Sequence, residues 1–341
     1  MTDRYFTKAS ASNISQLFRA VSLLARTLSP IAIISALMLG ALHLLYLSDP
    51  AKTRLMQASG VEHFIVLEQL SRSKAIKADI GFLGDSSCLM GIDPFLLDRR
   101  LGSVESYCTL GFVGPAGYAA MLDRMIEHHT QPEALVLAFH PAVFARNAEW
   151  DGWVNFVQNP DGNWPDLWFP FSGLSYLRTE WLSLGLFSPL PGAYGRFYGG
   201  EANFRRQIHY GKGGAIDPAI LLRGEKNVGI EGVPFNPTPN SLFLTALDRL
   251  AESIRQFGPE RTFLLITPVP ESYDTAGYEA RMHYTARSIA QRIGIGLGNI
   301  IEMPVSYPNA LFSTVTHLNR MGRPQFTRDL SAALTHLQHM D

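Results

Sequence analysis

From Ser29 to Leu47 the chain reads SPIAIISALMLGALHLLYL, apolar on every face, with His43 the one strongly polar residue. A run close to the ~20 residues that cross a bilayer predicts a transmembrane helix over residues 29–48. Ahead of it, Leu17, Phe18, Val21, Leu24 and Leu28 recur at helical spacing within a tail of residues 1–28. That pattern suits an amphipathic segment lying along a membrane. Residues 49–77 follow as a polar connector and an amphipathic helix whose apolar positions are Val61, Phe64, Ile65, Leu67 and Leu70.

From residue 78 onward short apolar runs alternate with helical stripes. Ile80–Leu83 predicts a first strand, Pro94–Leu101 a short helix and Val104–Leu110 a second strand. Gly114–His128 predicts a helix with Tyr118, Met121, Leu122 and Met125 on one face. Ala134–Phe139 (ALVLAF) is continuously apolar, as a strand covered on both faces requires. This βαβ rhythm predicts an α/β domain over residues 78–341, a parallel sheet in three layers. The rhythm breaks between about residues 146 and 240, a stretch rich in Gly, Pro, Asn and aromatics that reads as a long irregular insertion. It resumes with a helix at Leu242–Gln256, a strand at Thr262–Thr267, a helix at Tyr278–Ile293 and a short strand at Ile300–Val305. Pro324 then opens a terminal helix at the first position, with Phe326, Leu330, Ala333, Leu334 and Leu337 towards the core.

Charge gives the apolar run a direction. Arg4, Lys8, Arg19 and Arg26 precede it against one acid, Asp3, so the tail is expected in the cytoplasm. The domain after it is expected in the periplasm or its extracytoplasmic equivalent, held by a single pass of the inner membrane. A cleaved signal peptide is the alternative, but its apolar core is usually shorter and no Ala-x-Ala site closes this one, Ala51 being followed by Lys52. A formal net charge of −1 over 341 residues offers nucleic acid no basic footprint. With only Cys88 and Cys108 there is neither a disulfide framework nor a four-thiolate metal site. One disulfide between them and two buried thiols both stay open.

Other features fit bland readings as well as sharp ones. Trp150, Trp153, Trp164, Trp168 and Trp181 all fall in the insertion. They suit a sugar-stacking platform, an irregular core or a membrane contact. Arg196, Arg205, Arg206 and Lys212 suit an anionic polymer or lipid headgroups, or a solvated cluster. His128-His129 lack a third ligand, so no metal is expected. Gly211-Lys212-Gly213-Gly214 lacks the phosphate-loop pattern, so no cofactor is expected.

The chemistry converges on Ala78-Asp79-Ile80-Gly81-Phe82-Leu83-Gly84-Asp85-Ser86. A buried strand that stops at Gly-Asp-Ser presents a hydroxyl at the carboxyl edge of a sheet, so Ser86 is the candidate nucleophile. Serine needs a base within hydrogen-bond reach. The candidate is His317, in the loop Ser313-Thr314-Val315-Thr316-His317-Leu318-Asn319-Arg320-Met321-Gly322 before the last helix.

Gly84-Asp85-Ser86 after a first strand, with a late His317-Leu318-Asn319-x-x-Gly322 before a terminal helix, resembles the SGNH/GDSL hydrolase superfamily. Within it, the likeness is to membrane-anchored acyltransferase-like members such as the alginate O-acetylation proteins and the D-alanyl lipoteichoic acid transfer protein. It covers about residues 78–145 and 260–340. It implies an SGNH-like (flavodoxin-like) fold, Ser86 as nucleophile, His317 as base, and oxyanion donors from the Ser86 N–H and Gly111. The family's third donor is often an Asn after the third strand; here the segment is Phe139-His140-Pro141-Ala142, and His140 is the candidate substitute. The family's Asp three residues before the histidine is Thr314 in this chain. A hydroxyl accepts a hydrogen bond from imidazole but does not stabilise imidazolium as a carboxylate does. A Ser–His dyad, a more distant acid and an impaired site therefore all stay open, and Asp85 reads as a strand-end turn residue.

The resemblance further implies O-acyl transfer, acetyl by expectation, to an extracellular or envelope polysaccharide. A multispanning membrane-bound O-acyltransferase would be the partner that carries the acyl group across. An SGNH esterase or deacetylase, and a catalytically degenerate glycan-binding or assembly subunit, are the alternatives.

Overall fold

The apolar runs become a parallel sheet in the computed structural model of the chain, which describes residues 61–111, 113–144, 207–215 and 236–338, with position 30 besides. The chain divides into two units, residues 1–57 and 58–341, and the elements below belong to the second. Position 30 apart, the tail, the apolar run at 29–48 and the connector up to residue 60 lie outside the described residues, as do the five tryptophans, Arg196, Arg205 and Arg206. Among the described residues no helix is long and apolar enough to cross a membrane.

The helices are α1 (Val61–Ala75), α2 (Ser86–Gly91), α3 (Pro94–Leu101), α4 (Gly114–Glu127), α5 (Ser241–Phe257), α6 (Tyr278–Ile293) and α7 (Gly322–Gln338). The strands are β1 (Ile80–Gly84), β2 (Val104–Ser106), β3 (Ala134–Phe139), β4 (Thr262–Ile266), β5 (Val269–Pro270), β6 (Ile300–Ile301) and β7 (Ser306–Tyr307). Five strands form one parallel sheet in the order β2-β1-β3-β4-β6, and β5 pairs with β7 outside it. Counting only the sheet strands, this is the 2-1-3-4-5 order of flavodoxin-like folds, whose ligands sit beyond the carboxyl ends of the strands.

Side chains alternate across the strands, so each strand feeds two cores. Ile80 and Phe82 of β1, Val136 and Ala138 of β3 and Leu265 of β4 join Leu97, Leu101, Phe326 and Leu330 of α3 and α7. On the opposite face Phe139 meets Tyr118 of α4 at 6.0 Å and Phe243 of α5 at 5.7 Å between ring centroids. Three layers result, because β1, β3 and β4 must be covered twice. α3 and α5 begin where short polar side chains take up the first orphan N–H groups. Asp93 accepts from Phe95 N at 3.1 Å ahead of α3, and Asn240 accepts from Phe243 N at 2.8 Å ahead of α5.

Several boundaries differ from the sequence pattern: the last sheet strand, expected at Ile300–Val305, ends at Ile301, and two others differ for a clear reason. The second strand ends at Ser106 rather than Leu110, although Tyr107 N and Thr109 N still donate to Phe82 O and Gly84 O at 2.7 and 2.8 Å. Pro324 is the third residue of α7 rather than the first, because the Asn319 side chain starts the turn earlier, accepting from Met321 N and Gly322 N. A proline there still removes only an N–H that no helical carbonyl would have taken.

The exposed edge of β2 is covered by residues 207–215. Ser106 N donates to Lys212 O at 2.8 Å, Gln69 Nε2 of α1 donates to Gly213 O at 2.8 Å, and Ala215 N donates to Leu89 O of α2 at 2.9 Å. Lys212 also pairs with Asp98 at 2.6 Å. Beneath them Arg72 and Glu105 form a buried ion pair. Pairing the edge strand within the chain removes a template for aggregation.

Candidate active site

Ser86 lies at the carboxyl end of β1 because the strand cannot continue. Gly84 is in register with Ala138, and a Cβ on Gly84 would stand 2.0 Å from Ala138 O. No larger residue fits, so β1 and β3 close together just before the turn. Asp85 then leaves the ladder with extended backbone (φ −91°, ψ −169°) and caps α2, its Oδ1 accepting from Ser87 N at 2.8 Å. Ser86 is thereby the first residue of the helix, half-buried at the rim of the sheet.

His317 arrives from the far end of the chain on a loop closed largely through its own backbone. Phe312 and Leu318 form an antiparallel bridge. Within it, Ser313 N and Ser313 Oγ donate to His317 O at 2.9 and 3.2 Å. Asn319 fixes the exit. Its Nδ2 donates to Ala310 O at 2.7 Å, and its Oδ1 accepts from Met321 N at 2.9 Å and Gly322 N at 3.0 Å. Gly322 is required by close approach, since a Cβ there would stand 2.2 Å from Leu311 O. The His-Leu-Asn-x-x-Gly spacing is thus a loop-closing device with the histidine beside the Phe312–Leu318 bridge.

The two residues meet: Ser86 Oγ and His317 Nε2 are 3.0 Å apart across 231 positions of sequence. Both are half-buried, so the pair is reachable from solvent. For His317 to take the hydroxyl proton, its Nε2 must carry the lone pair and its Nδ1 the hydrogen. In that tautomer the contact is a Ser–His general-base hydrogen bond of ordinary length.

The remaining candidates fall as follows. Thr314 Oγ1 accepts from the backbone N–H of His317 at 3.1 Å, which makes it a turn residue of the loop. Asp85 is buried, and its Oδ2 accepts from His140 N at 2.7 Å while Oδ1 holds Ser87. His140 is buried directly after β3, and its Nδ1 accepts from Ala142 N at 3.1 Å. That bond assigns the ring proton to Nε2, leaving His140 a neutral donor. Gly111 is buried in the turn closed by Val113 N donating to Leu110 O at 3.1 Å, two residues beyond Thr109 and its bond to the end of β1.

Cys88 and Cys108 form a disulfide, with Cα atoms 5.8 Å apart. It joins α2, two residues past Ser86, to the segment that leads into Gly111. Sequence reasoning passed over Ser87 and Thr267. Their hydroxyls lie 2.8 Å apart, and Ser87 Oγ donates to Asp85 Oδ1 at 2.6 Å. The available signal was a polar residue just past the apolar run TFLLI, where strand ends collect functional groups. A cavity of about 200 Å³ opens at the carboxyl ends of β4 and β6, lined by Pro141, Thr267, Met282, Arg287 and Met303 among others. Neither Ser86 nor His317 lines it.

No protein-family model, no curated protein and no solved structure matches this chain.

Proposed function

We propose that this protein is an SGNH-like O-acyltransferase that moves an acyl group, acetyl first among the candidates, onto a hydroxyl of an extracellular or envelope polysaccharide. The observation that carries the reading is the 3.0 Å approach of Ser86 Oγ to His317 Nε2 at the carboxyl edge of a parallel sheet. His317 takes the Ser86 proton as Oγ attacks the carbonyl carbon of the donor. The tetrahedral oxyanion is received by the Ser86 N–H and by Gly111, with His140 Nε2–H as a third donor. Collapse expels the donor's leaving group, protonated by His317, and leaves Ser86 as an acyl ester. A glycan hydroxyl, deprotonated in turn by His317, attacks that ester and restores the serine. Donor groups of this kind are typically worth ~10²–10³ each in rate.

The Cys88–Cys108 bond supports an extracytoplasmic site, because such bonds persist in oxidising compartments. In this reading the apolar run at 29–48 anchors the domain to the membrane. There a multispanning membrane-bound O-acyltransferase supplies the acyl group.

The test is genetic and chemical together. Cells lacking the protein are complemented with wild type or Ser86→Ala, and ester-linked acetate on the isolated envelope polysaccharide is measured. Wild type restores it and Ser86→Ala does not. Full restoration by Ser86→Ala would make the domain a non-catalytic subunit, and released acetate without polymer esters would make it an esterase.

A further inference from the structure

The nucleophile's helix is six residues long, too short to hold its own geometry, so whatever places Ser86 must lie outside α2. Asp85, Ser87 and Thr267 are all buried, at 1%, 5% and 3% exposure. Asp85 Oδ1 accepts from the Ser87 hydroxyl at 2.6 Å, which uses that group's single proton. Ser87 Oγ then has only lone pairs to offer Thr267, and the 2.8 Å contact between them runs from Thr267 as donor. The chain of hydrogen bonds has one direction: Thr267 to Ser87 to Asp85, with His140 N donating to the other carboxylate oxygen at 2.7 Å. It ties together the carboxyl ends of three neighbouring strands, β1 through Asp85, β3 through His140 and β4 through Thr267. In a site excluded from water such a network is stiff when complete and costly when broken.

We infer that Ser87 and Thr267 are positioning residues for Ser86. Their buried hydroxyl chain locks the first turn of α2 to the three central strands, so that Ser86 Oγ is held on the line to His317. This rests on the acyl-transfer reading above. In this reading both residues act through Ser86. Their action is on the angle and distance of the 3.0 Å Ser86–His317 contact. Misplacement by ~1 Å is enough to cost ~10² in rate.

The experiment uses the full-length protein in detergent, with p-nitrophenyl acetate as the probe. Release of p-nitrophenol gives kcat and KM, and intact mass with peptide mapping gives acetylation at Ser86. Thr267→Val keeps the shape and removes the donor. It is expected to lower kcat about tenfold with KM within twofold of wild type, while Thr267→Ser, which keeps the hydroxyl, stays within twofold in kcat. Ser87→Ala, which removes two bonds, is expected to lose more and serves as the second arm if Thr267→Val does not fold. Wild-type kcat in the hydroxyl-deleted variant that folds, or an equal loss in Thr267→Ser, overturns the inference alone. A wild-type protein that is never acetylated at Ser86 overturns the acyl-transfer reading and takes the inference with it.

Discussion

Ser86 and His317 meet at 3.0 Å but are held there by different means. The turn bearing Ser86 is bound to the rest of the sheet by side chains: a carboxylate that spans β1 and β3, a hydroxyl chain to β4, and a disulfide to the segment after β2. The loop bearing His317 is hydrogen-bonded mainly through its backbone and the Asn319 side chain, whose partners lie between Ala310 and Gly322, and just past it Arg323 donates to Ile92 O. The Ser86 turn is therefore hydrogen-bonded across the sheet, while the His317 loop is hydrogen-bonded chiefly within itself and packed into the core by Phe312 and Leu318. The turn bearing Ser86, tied to three strands, presents one geometry, whereas the hydrogen bonds of the His317 loop are lost first when its own closure is loosened.

The largest effect expected comes from deleting His317. His317→Ala should lower Ser86 acetylation by ~10³ or more, about 4 kcal/mol in the barrier, with thermal stability unchanged. A single-turnover mass measurement checks it, and an unimpaired variant would break the pairing on which the comparison rests. Next is the cross-link on the nucleophile side. Replacing Cys88 and Cys108 with Ala should cost about 3 kcal/mol in chemical denaturation, the amount expected for a loop of this length. The same double variant should leave the fold of the His317 loop intact, which amide exchange at Ser313 and Asn319 would report.

Asn319→Ala comes third. It leaves Met321 N and Gly322 N without their acceptor and Ala310 O without its donor, for a loss of about 2 kcal/mol in stability. Exchange should rise over residues 310–322 while Ser87 N and His140 N keep their protection. Spread of the change to β1 or β3 would show that the two halves are coupled after all. Smallest is Thr314→Ala, which removes one half-buried acceptor for His317 N and should cost less than ~1 kcal/mol and less than tenfold in kcat. A loss as large as that of His317→Ala would mean that Thr314 acts on the imidazole ring rather than on the loop.

Much of this architecture was legible in the residue pattern. Ala134–Phe139 and Tyr278–Ile293 stand where the apolar run and the helical stripe place them, because each is strong over its whole length. The α/β parallel sheet follows from their alternation. Val104–Leu110 was over-read as strand, since residues 107–109 keep hydrogen bonds to β1 while leaving the regular ladder. The meeting of Ser86 and His317 was legible because a strand-end Gly-Asp-Ser and a His-Leu-Asn loop before the last helix both fall at the carboxyl edge of the sheet. The Thr267–Ser87 bond was not, because a hydroxyl pair separated by 180 positions leaves no periodic trace. The pairing of Cys88 with Cys108 stayed open for a similar reason: spacing says nothing about the strand crossing that brings them together. Thr314 was weighed as a neighbour of the imidazole, yet its oxygen serves the backbone, a distinction that depends on how the loop turns.

The 231 positions between Ser86 and His317 have a consequence in time. At the usual 5–20 residues per second, translation delivers the turn bearing Ser86 on the order of ten to fifty seconds before His317. Thr267, the far end of the hydroxyl chain, also comes late, and Gly322 closes the His317 loop only after that. A nascent chain therefore carries Ser86 as an ordinary serine through most of its synthesis. The contact with His317 forms only when the chain is nearly complete.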